Sequence, residues 1–113
     1  MQSSKLVEIA VIGENIIVAP VFAAPGEPIV WRAPAGERIV LLFPEPDIFR
    51  ENVGRVEVGE EVVLTLRPDA PKGECPYAVY RPGWRSIEWT RGVRLSGHSA
   101  FGIGGSHPRI YII

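Results

Sequence analysis

The sequence predicts an all-β domain, a Greek-key β-sandwich or barrel, and three observations support this class. Thirteen valines and 12 isoleucines stand against six leucines, and β-branched side chains favour a pleated strand because their χ1 angle is already restricted. Glycine and proline account for 12 and 11 of the 113 residues, which leaves little room for long helices. Short runs of alternating polarity recur at roughly ten-residue spacing between turn residues, as in two-sheet sandwiches.

The first half of the chain predicts four strands between turns that contain glycine or proline. They are Leu6–Ile12, Asn15–Phe22, Pro28–Arg32 and Glu37–Phe43. Gly13 and Glu14 predict a hairpin or bend between the first two. Proline cannot donate to a strand ladder, so Pro20 places the second strand at a sheet edge or on a bulge.

The second half predicts five more strands. They are Arg55–Val58, Glu61–Arg67, Pro76–Arg81, Arg85–Arg91 and Arg109–Ile113. In the second of these, Val62, Leu64 and Leu66 alternate with polar or exposed positions, which predicts one buried face. A helical turn is expected only in Asp47–Val53, between Pro46 and Gly54.

Length and composition predict one domain spanning residues 1–113. A chain of this length buries about two-thirds of its unfolded surface without disulfides or a structural metal, and 46% hydrophobic with 22% charged residues excludes a disordered chain. Lys5, Glu8 and Glu14 interrupt the apolar N-terminus, so neither a signal peptide nor a membrane span is expected. The single cysteine favours a reducing compartment, and we expect a cytoplasmic protein.

Charge is distributed unevenly along the chain. Residues 1–80 carry 7 basic and 12 acidic side chains, whereas residues 81–113 carry five arginines and the single acid Glu88. This cationic third could attract an anionic partner or form a solvated, salt-bridged sheet face. The overall net charge of -1 argues against nucleic-acid binding, which favours strongly basic domains.

Four segments resemble the strands of small bacterial cupredoxin-like domains. They are Gly26–Arg32, Gly36–Pro44, Gly73–Tyr80 and Ser106–Ile113. Blue-copper members of that family bind the metal with two histidines, a cysteine and usually a methionine, a set that suits copper in both oxidation states. Here residues 32–47 contain no histidine, Arg81 occupies the place that the resemblance implies for the cysteine, and the one methionine is Met1. The resemblance therefore implies a cupredoxin-like fold without a blue-copper site and without a cofactor.

A rearranged metal site is the alternative. Cys75, His98 and His107 are the only thiol and imidazole side chains, and they could serve a copper-binding or electron-transfer protein. An extended run from Pro76 to Arg81 spans about 20 Å, which predicts that Cys75 lies at the opposite end of the sandwich from the histidine loop. Otherwise Cys75 is a small, partly buried hydrophobe and the histidines are polar loop residues.

Catalytic chemistry finds little support in the sequence. Serines and histidines cluster between residues 96 and 107, but no carboxylate follows Glu88 to orient a triad. Glu45 and Asp47 lie close together, yet general acid or base work needs one of them in a dry pocket. We expect a protein that is not an enzyme.

The most distinctive segment is Tyr80–Arg91, which combines two tryptophans with three arginines. Arginine and tryptophan are enriched at binding hot spots, so we predict a partner-binding surface for a homo-oligomer or for a protein or anionic partner. Its members are Arg81, Trp84, Arg85, Trp89 and Arg91. Alternatively, Ile87 and Trp89 cap the sandwich core and the arginines are solvated. The sequence favours a non-catalytic binding or assembly module.

Overall fold

A computed structural model describes residues 4–12, 15–81 and 108–113. These residues form an all-β sandwich of ten short strands with a single 3-10 turn, Pro46–Ile48. The strands are β1 Lys5–Ile12, β2 Asn15–Val18, β3 Val21–Ala23, β4 Pro28–Arg32, β5 Ile39–Leu42, β6 Arg55–Val58, β7 Glu61–Thr65, β8 Gly73–Pro76, β9 Ala78–Tyr80 and β10 Arg109–Ile112. Within the described ranges the sheets do not close into a barrel, so the sandwich alternative is the correct one.

The strands form three hydrogen-bonded sheets. The first has the order β2-β1-β4-β7, with β1 antiparallel to β2 and parallel to β4. The second has the order β3-β10-β8, with β10 parallel to β3 and antiparallel to β8. The third has the order β6-β5-β9 and is antiparallel throughout. β1 and β2 pair antiparallel, and the hairpin or bend predicted at Gly13 and Glu14 lies outside the described residues.

The predicted strand Asn15–Phe22 is two strands in the structure. It divides at Ala19 and Pro20, so β2 joins the first sheet and β3 joins the second. Pro20 has no backbone N–H and cannot continue a ladder, which explains why the strand breaks there. The prediction of a single strand was wrong, while the prediction of an edge position is confirmed for both pieces among the described residues.

The predicted strand Pro76–Arg81 also divides. β8 ends at Pro76 and pairs with β10, whereas β9 begins at Ala78 and pairs with β5 in another sheet. Tyr77 lies between them with its side chain fully buried, and its backbone N–H donates to the carbonyl of Pro108 at 3.0 Å. Consecutive buried residues from Tyr77 to Val79 break the alternation of a half-buried strand. The single predicted strand was therefore wrong.

Two other predicted elements are present in the structure, and one lies outside the described residues. β7 and the residues after it alternate as expected, because Leu64 and Leu66 are buried while Val63 is 47% exposed. The predicted helical turn exists as Pro46–Ile48, at the start of the expected segment. The predicted strand Arg85–Arg91 lies outside the described residues. No helix in the described part of the chain is long and apolar enough to cross a membrane.

Inward-facing side chains from all three sheets meet in one core. Its centre is an aromatic cluster of Trp31, Phe43, Phe49 and Tyr77. Trp31 meets the other three rings edge to face, with centroids 5.6 to 6.1 Å apart, an arrangement that adds to the energy of area burial. The Nε1–H of Trp31 donates to the hydroxyl of Tyr77 at 3.1 Å, so the polar atom that tryptophan carries into the core is satisfied.

Candidate functional site

Arg81 is the one residue of the predicted partner-binding surface that the structure describes. It follows β9, and its guanidinium donates to Oε1 of Glu37 at 3.3 Å. Glu37 comes directly after Gly36, whose φ of 80° allows the turn before β5. Trp84, Arg85, Trp89 and Arg91 lie outside the described residues.

Among the ion pairs between described residues, the pair of Arg81 and Glu37 is the least exposed, with side chains 26% and 32% exposed. Partial burial reduces solvent screening, so this pair contributes more than a fully exposed one. Glu37 also offsets one positive charge of the C-terminal third. Arg81 therefore has a structural partner in its own chain, in addition to any role at a surface.

Cys75 lies on β8 opposite Ile110 of β10, half-buried and not in a disulfide. It borders a small pocket with a cavity volume of about 40 Å³, which is lined by Phe43, Pro44, Glu45, Ile48, Cys75 and Pro76. Small-molecule sites usually enclose about 300 to 1,000 Å³, whereas a water needs only about 10 to 15 Å³. The pocket has room for water and not for a substrate.

The environment of Cys75 disfavours its thiolate. Burial raises the pKa of the Cys75 thiol, and the nearby carboxylates of Glu45 and Asp47 raise it further. A thiolate is the form that attacks an electrophile or binds a soft metal, so the thiol is poorly suited to either task at neutral pH. The described ranges contain no group of three or more histidine, cysteine, aspartate or glutamate residues that could hold a metal ion.

The chain after Cys75 departs from the sequence prediction. The chain turns at Tyr77 from one sheet into another, so residues 76–81 are not one extended run. Cys75 instead lies beside Ile110, on the strand that begins at Arg109. The expectation of one extended run of about 20 Å from Pro76 to Arg81 was therefore wrong, and the predicted separation of Cys75 from the histidine loop stays a prediction, because His98 and His107 lie outside the described residues.

Glu45 lies at the N-cap of the 3-10 turn and Asp47 lies within it, and both residues are exposed. General acid or base work needs a carboxylate in a dry pocket, whereas the side chains of Glu45 and Asp47 are in contact with water. Their described effect is on the neighbouring thiol of Cys75.

The sequence analysis overlooked the outer face of the first sheet. There Leu6, Val30 and Val63 lie side by side in one row across β1, β4 and β7. The next row is ionic: the guanidinium of Arg32 lies 3.6 Å from Glu8 and 3.1 Å from Glu61. A signal was present, because the segment Leu6–Ile12 is apolar at positions of both parities apart from Glu8.

Two open grooves flank Arg32 at the end of this sheet. The larger has a volume of about 400 Å³ and is lined by Arg32, Ala33, Ala35, Gly36, Glu60 and Glu61. Arg32 and Glu61 are already paired with each other, and the remaining walls are mostly small side chains. The groove offers no nucleophile and no imidazole for chemistry.

A second apolar surface lies on the outer side of the second sheet. Phe22 is 53% exposed and stacks on Tyr111, with ring centroids 4.8 Å apart and planes inclined by 15°. Glu74 follows Tyr111 in the same row and pairs with Arg109 at 3.3 Å. Ile113, 60% exposed, ends the chain beyond β10.

Comparison with known proteins provides little. No protein-family model matches the chain, and no curated protein matches it. A solved structure described as the crystal structure of Lac15 from a marine microbial metagenome is similar over 99% of this chain, at 14% sequence identity and a TM-score of 0.41. This chain spans 32% of that one. At this level the likeness assigns neither a family nor a function.

Proposed function

We propose that the chain is a non-catalytic, cupredoxin-like binding or assembly module that lacks a blue-copper site. The observation that carries the proposal is the setting of Arg81. At the place where the resemblance implies a copper thiolate, a guanidinium is paired with the carboxylate of Glu37 at 3.3 Å. A cation with its own carboxylate partner repels a copper ion and supplies no ligand to it.

The strand order supports a Greek-key connection. β1 has the later strand β4 as its parallel neighbour, and β10 lies between β3 and β8. The chain also crosses between sheets at Pro20 and at Tyr77. Non-consecutive neighbours of this kind arise when long connections return a strand beside an early one, as in Greek keys.

The absence of an enzymatic role is supported by the described pockets and acids. The pocket beside Cys75 is about 40 Å³, its thiol pKa is raised by burial, and Glu45 and Asp47 are exposed. The neighbouring carboxylates of Glu45 and Asp47 raise the pKa of the Cys75 thiol, whereas covalent catalysis requires a nucleophile that its surroundings activate. Binding, rather than turnover, fits such residues.

The partner side of the proposal rests on the composition of the arginine–tryptophan surface, formed by Arg81, Trp84, Arg85, Trp89 and Arg91. Glu37 offsets the charge of Arg81, so Arg85 and Arg91 supply the cationic contacts. Arginine presents a planar fork of donors that matches carboxylates, and tryptophan adds apolar area. The surface suits an acidic protein segment or a second copy of the chain.

Two measurements test this function. Sedimentation of the wild type beside Trp84→Ala and Trp89→Ala measures self-association, and titration with a poly-glutamate peptide, followed by tryptophan fluorescence, measures anionic binding. We expect the wild type to show either self-association or peptide binding, and the double variant Arg85→Glu, Arg91→Glu to lose it. Arg50→Glu, a charge reversal at an exposed arginine elsewhere, is the matched control. A monomer that does not bind the peptide would contradict the proposal.

A copper-binding or electron-transfer protein built on Cys75, His98 and His107 is the alternative function. One observation favours it: Cys75 lies beside β10, which begins two residues after His107. Titration with copper, read by stoichiometry and by thiolate-to-copper absorption, decides between the two functions. One tightly bound copper in the wild type and none in Cys75→Ala would establish the alternative. No binding above that of Cys75→Ala would remove it.

A further inference from the structure

The outer face of the first sheet carries an apolar row beside one ionic row, and Thr65 is a further polar residue on it. Leu6 and Val63 are 49% and 47% exposed, and Val30 lies between them. On the other side of the Glu8, Arg32 and Glu61 row, Ala10 pairs with Ile17, which is 41% exposed. Four of the six large exposed hydrophobic side chains in the described ranges are on this face: Leu6, Ile12, Ile17 and Val63.

A sheet with one face in water normally alternates apolar residues inward with polar residues outward. In β1 the inward residues Val7 and Ile9 are buried as expected, but the outward positions include Leu6 and Ile12. An apolar patch with charged residues in and around it is typical of an interaction surface. The pattern of this face therefore indicates a surface that another molecule covers.

We propose that two copies of the chain pack face to face through the first sheet, around a twofold axis that runs parallel to β1 and β4 and midway between them. β1 and β4 are the central, parallel pair of the sheet, and Leu6 is in register with Val30 as Glu8 is with Arg32. Rotation about this axis places β1 of one copy over β4 of the other. Leu6 then lies over Val30 of the second copy, and Glu8 lies over its Arg32.

Charge complementarity selects this axis. A twofold axis perpendicular to the strands, through the ionic row, would place Arg32 over Arg32 and Glu8 over Glu8, and like charges face to face are repulsive. The axis parallel to the strands makes two opposite-charge contacts instead. Twisted sheets pack at about 30° to one another. The strands nearest the axis, β1 and β4, are displaced least, and they carry both contacts.

The size of the face predicts a dimer of modest affinity. Four strands spaced by about 4.8 Å, with eight residues in β1 at about 3.3 Å each, give a face of roughly 19 by 26 Å at most. Two such faces bury at most about 1,000 Å², which is the lower limit for a specific interface. Association should therefore depend visibly on concentration.

The experiment uses charge reversal on the full chain. Sedimentation equilibrium over a roughly hundredfold concentration range should show a monomer–dimer equilibrium for the wild type. Glu8→Arg places two guanidinium groups over each other at both contacts, and Arg32→Glu places two carboxylates over each other at both. Each variant alone should bind itself at least about tenfold more weakly. A one-to-one mixture of the two variants should restore the dimer, because both contacts across the mixed pair then join opposite charges.

Arg38 and Glu57 provide the matched controls, since they form an exposed ion pair on the third sheet at 2.7 Å. Arg38→Glu and Glu57→Arg should leave association unchanged, and thermal unfolding should show that all four variants fold, because exposed ion pairs contribute little to stability. A monomeric wild type at every concentration, or a mixture no tighter than the separate variants, would refute the interface.

This proposal rests on the assembly role proposed above but uses a different surface, and the two can fail separately. Loss of the dimer in Trp84→Ala or Trp89→Ala, with normal association of Glu8→Arg, would assign self-association to the arginine–tryptophan surface and refute the sheet interface. Loss in Glu8→Arg, recovered only on mixing with Arg32→Glu, would establish the sheet interface.

Discussion

Replacing Tyr77 by phenylalanine tests the centre of the core. Tyr77 and Trp31 are both 0% exposed, and the Tyr77 hydroxyl accepts the indole N–H of Trp31 at 3.1 Å. The substitution leaves the ring stack almost unchanged and removes one oxygen. The indole donor then remains buried without its acceptor, which costs about 1 to 3 kcal/mol of unfolding free energy.

The assay is urea unfolding, with thermal unfolding as a second measurement. At this chain length a loss of 1 kcal/mol lowers the melting temperature by roughly 4 °C, so Tyr77→Phe should melt about 4 to 12 °C below the wild type. Tyr111→Phe is the matched control, because it removes a hydroxyl from a partly exposed ring that stacks on Phe22. It should change the unfolding free energy by no more than about 0.5 kcal/mol.

A double-mutant cycle isolates the hydrogen bond. Trp31→Phe alone removes both the donor and a large ring, and the combined variant shows how much of each cost is shared. We expect a coupling of about 1 kcal/mol between Trp31 and Tyr77. If Tyr77→Phe were as stable as the wild type, the buried donor would have another acceptor, and the assignment of this bond as a core constraint would be refuted.

Four further outcomes follow from single groups. Burial raises the pKa of Tyr77 above its unfolded value, so the unfolded chain loses the phenol proton at a lower pH than the folded chain. The stability of the wild type should therefore fall relative to that of Tyr77→Phe as the pH rises above about 10. Urea unfolding at several pH values measures this difference. The raised pKa of Cys75 should shift the pH midpoint of its alkylation by iodoacetamide above that of a free cysteine, and an equal midpoint would contradict the burial argument. Glu37→Gln should destabilise by about 1 kcal/mol through the half-buried pair with Arg81, with no change if the pair were solvated. Gly36→Ala should cost about 1 kcal/mol because of its φ of 80°, measured by urea unfolding against Gly59→Ala, which lies in an open position without positive φ.

The fold class could be predicted because it depends on local signals. Alternation in Glu61–Thr65 identified the buried face, and proline at position 20 identified an edge position. The transfer of β3 into a second sheet could not be predicted, because pairing with β10 joins Val21 to Ile110, far apart in sequence. Local propensity reports that a strand ends and carries no information on which sheet receives the next one.

The candidate site was predicted less well, for the same physical reason. Glu37 and Arg81 are 44 residues apart, and nothing in either segment indicates their ion pair. The error over the strand after Cys75 arose from treating residues 76–81 as one straight strand, although Pro76 and the aromatic Tyr77 mark the position where the chain leaves the sheet. Distances between functional residues depend on such breaks, because a break at one residue moves the chain from one sheet to another.

The ionic row on the first sheet bears on why its outer face is apolar. A shift of one residue in strand register exchanges the two faces of a sheet, and here it would carry the charged side chains of Glu8, Arg32 and Glu61 into the core. The charged row is therefore sufficient to set the register of β1, β4 and β7, and Leu6, Val30 and Val63 are not needed for that purpose. Cross-strand packing among Leu6, Val30 and Val63 adds only about 0.2 to 1 kcal/mol for each pair, and polar β-branched residues could supply as much. The isolated fold therefore does not explain why these three residues are apolar, and burial against the proposed second copy accounts for it.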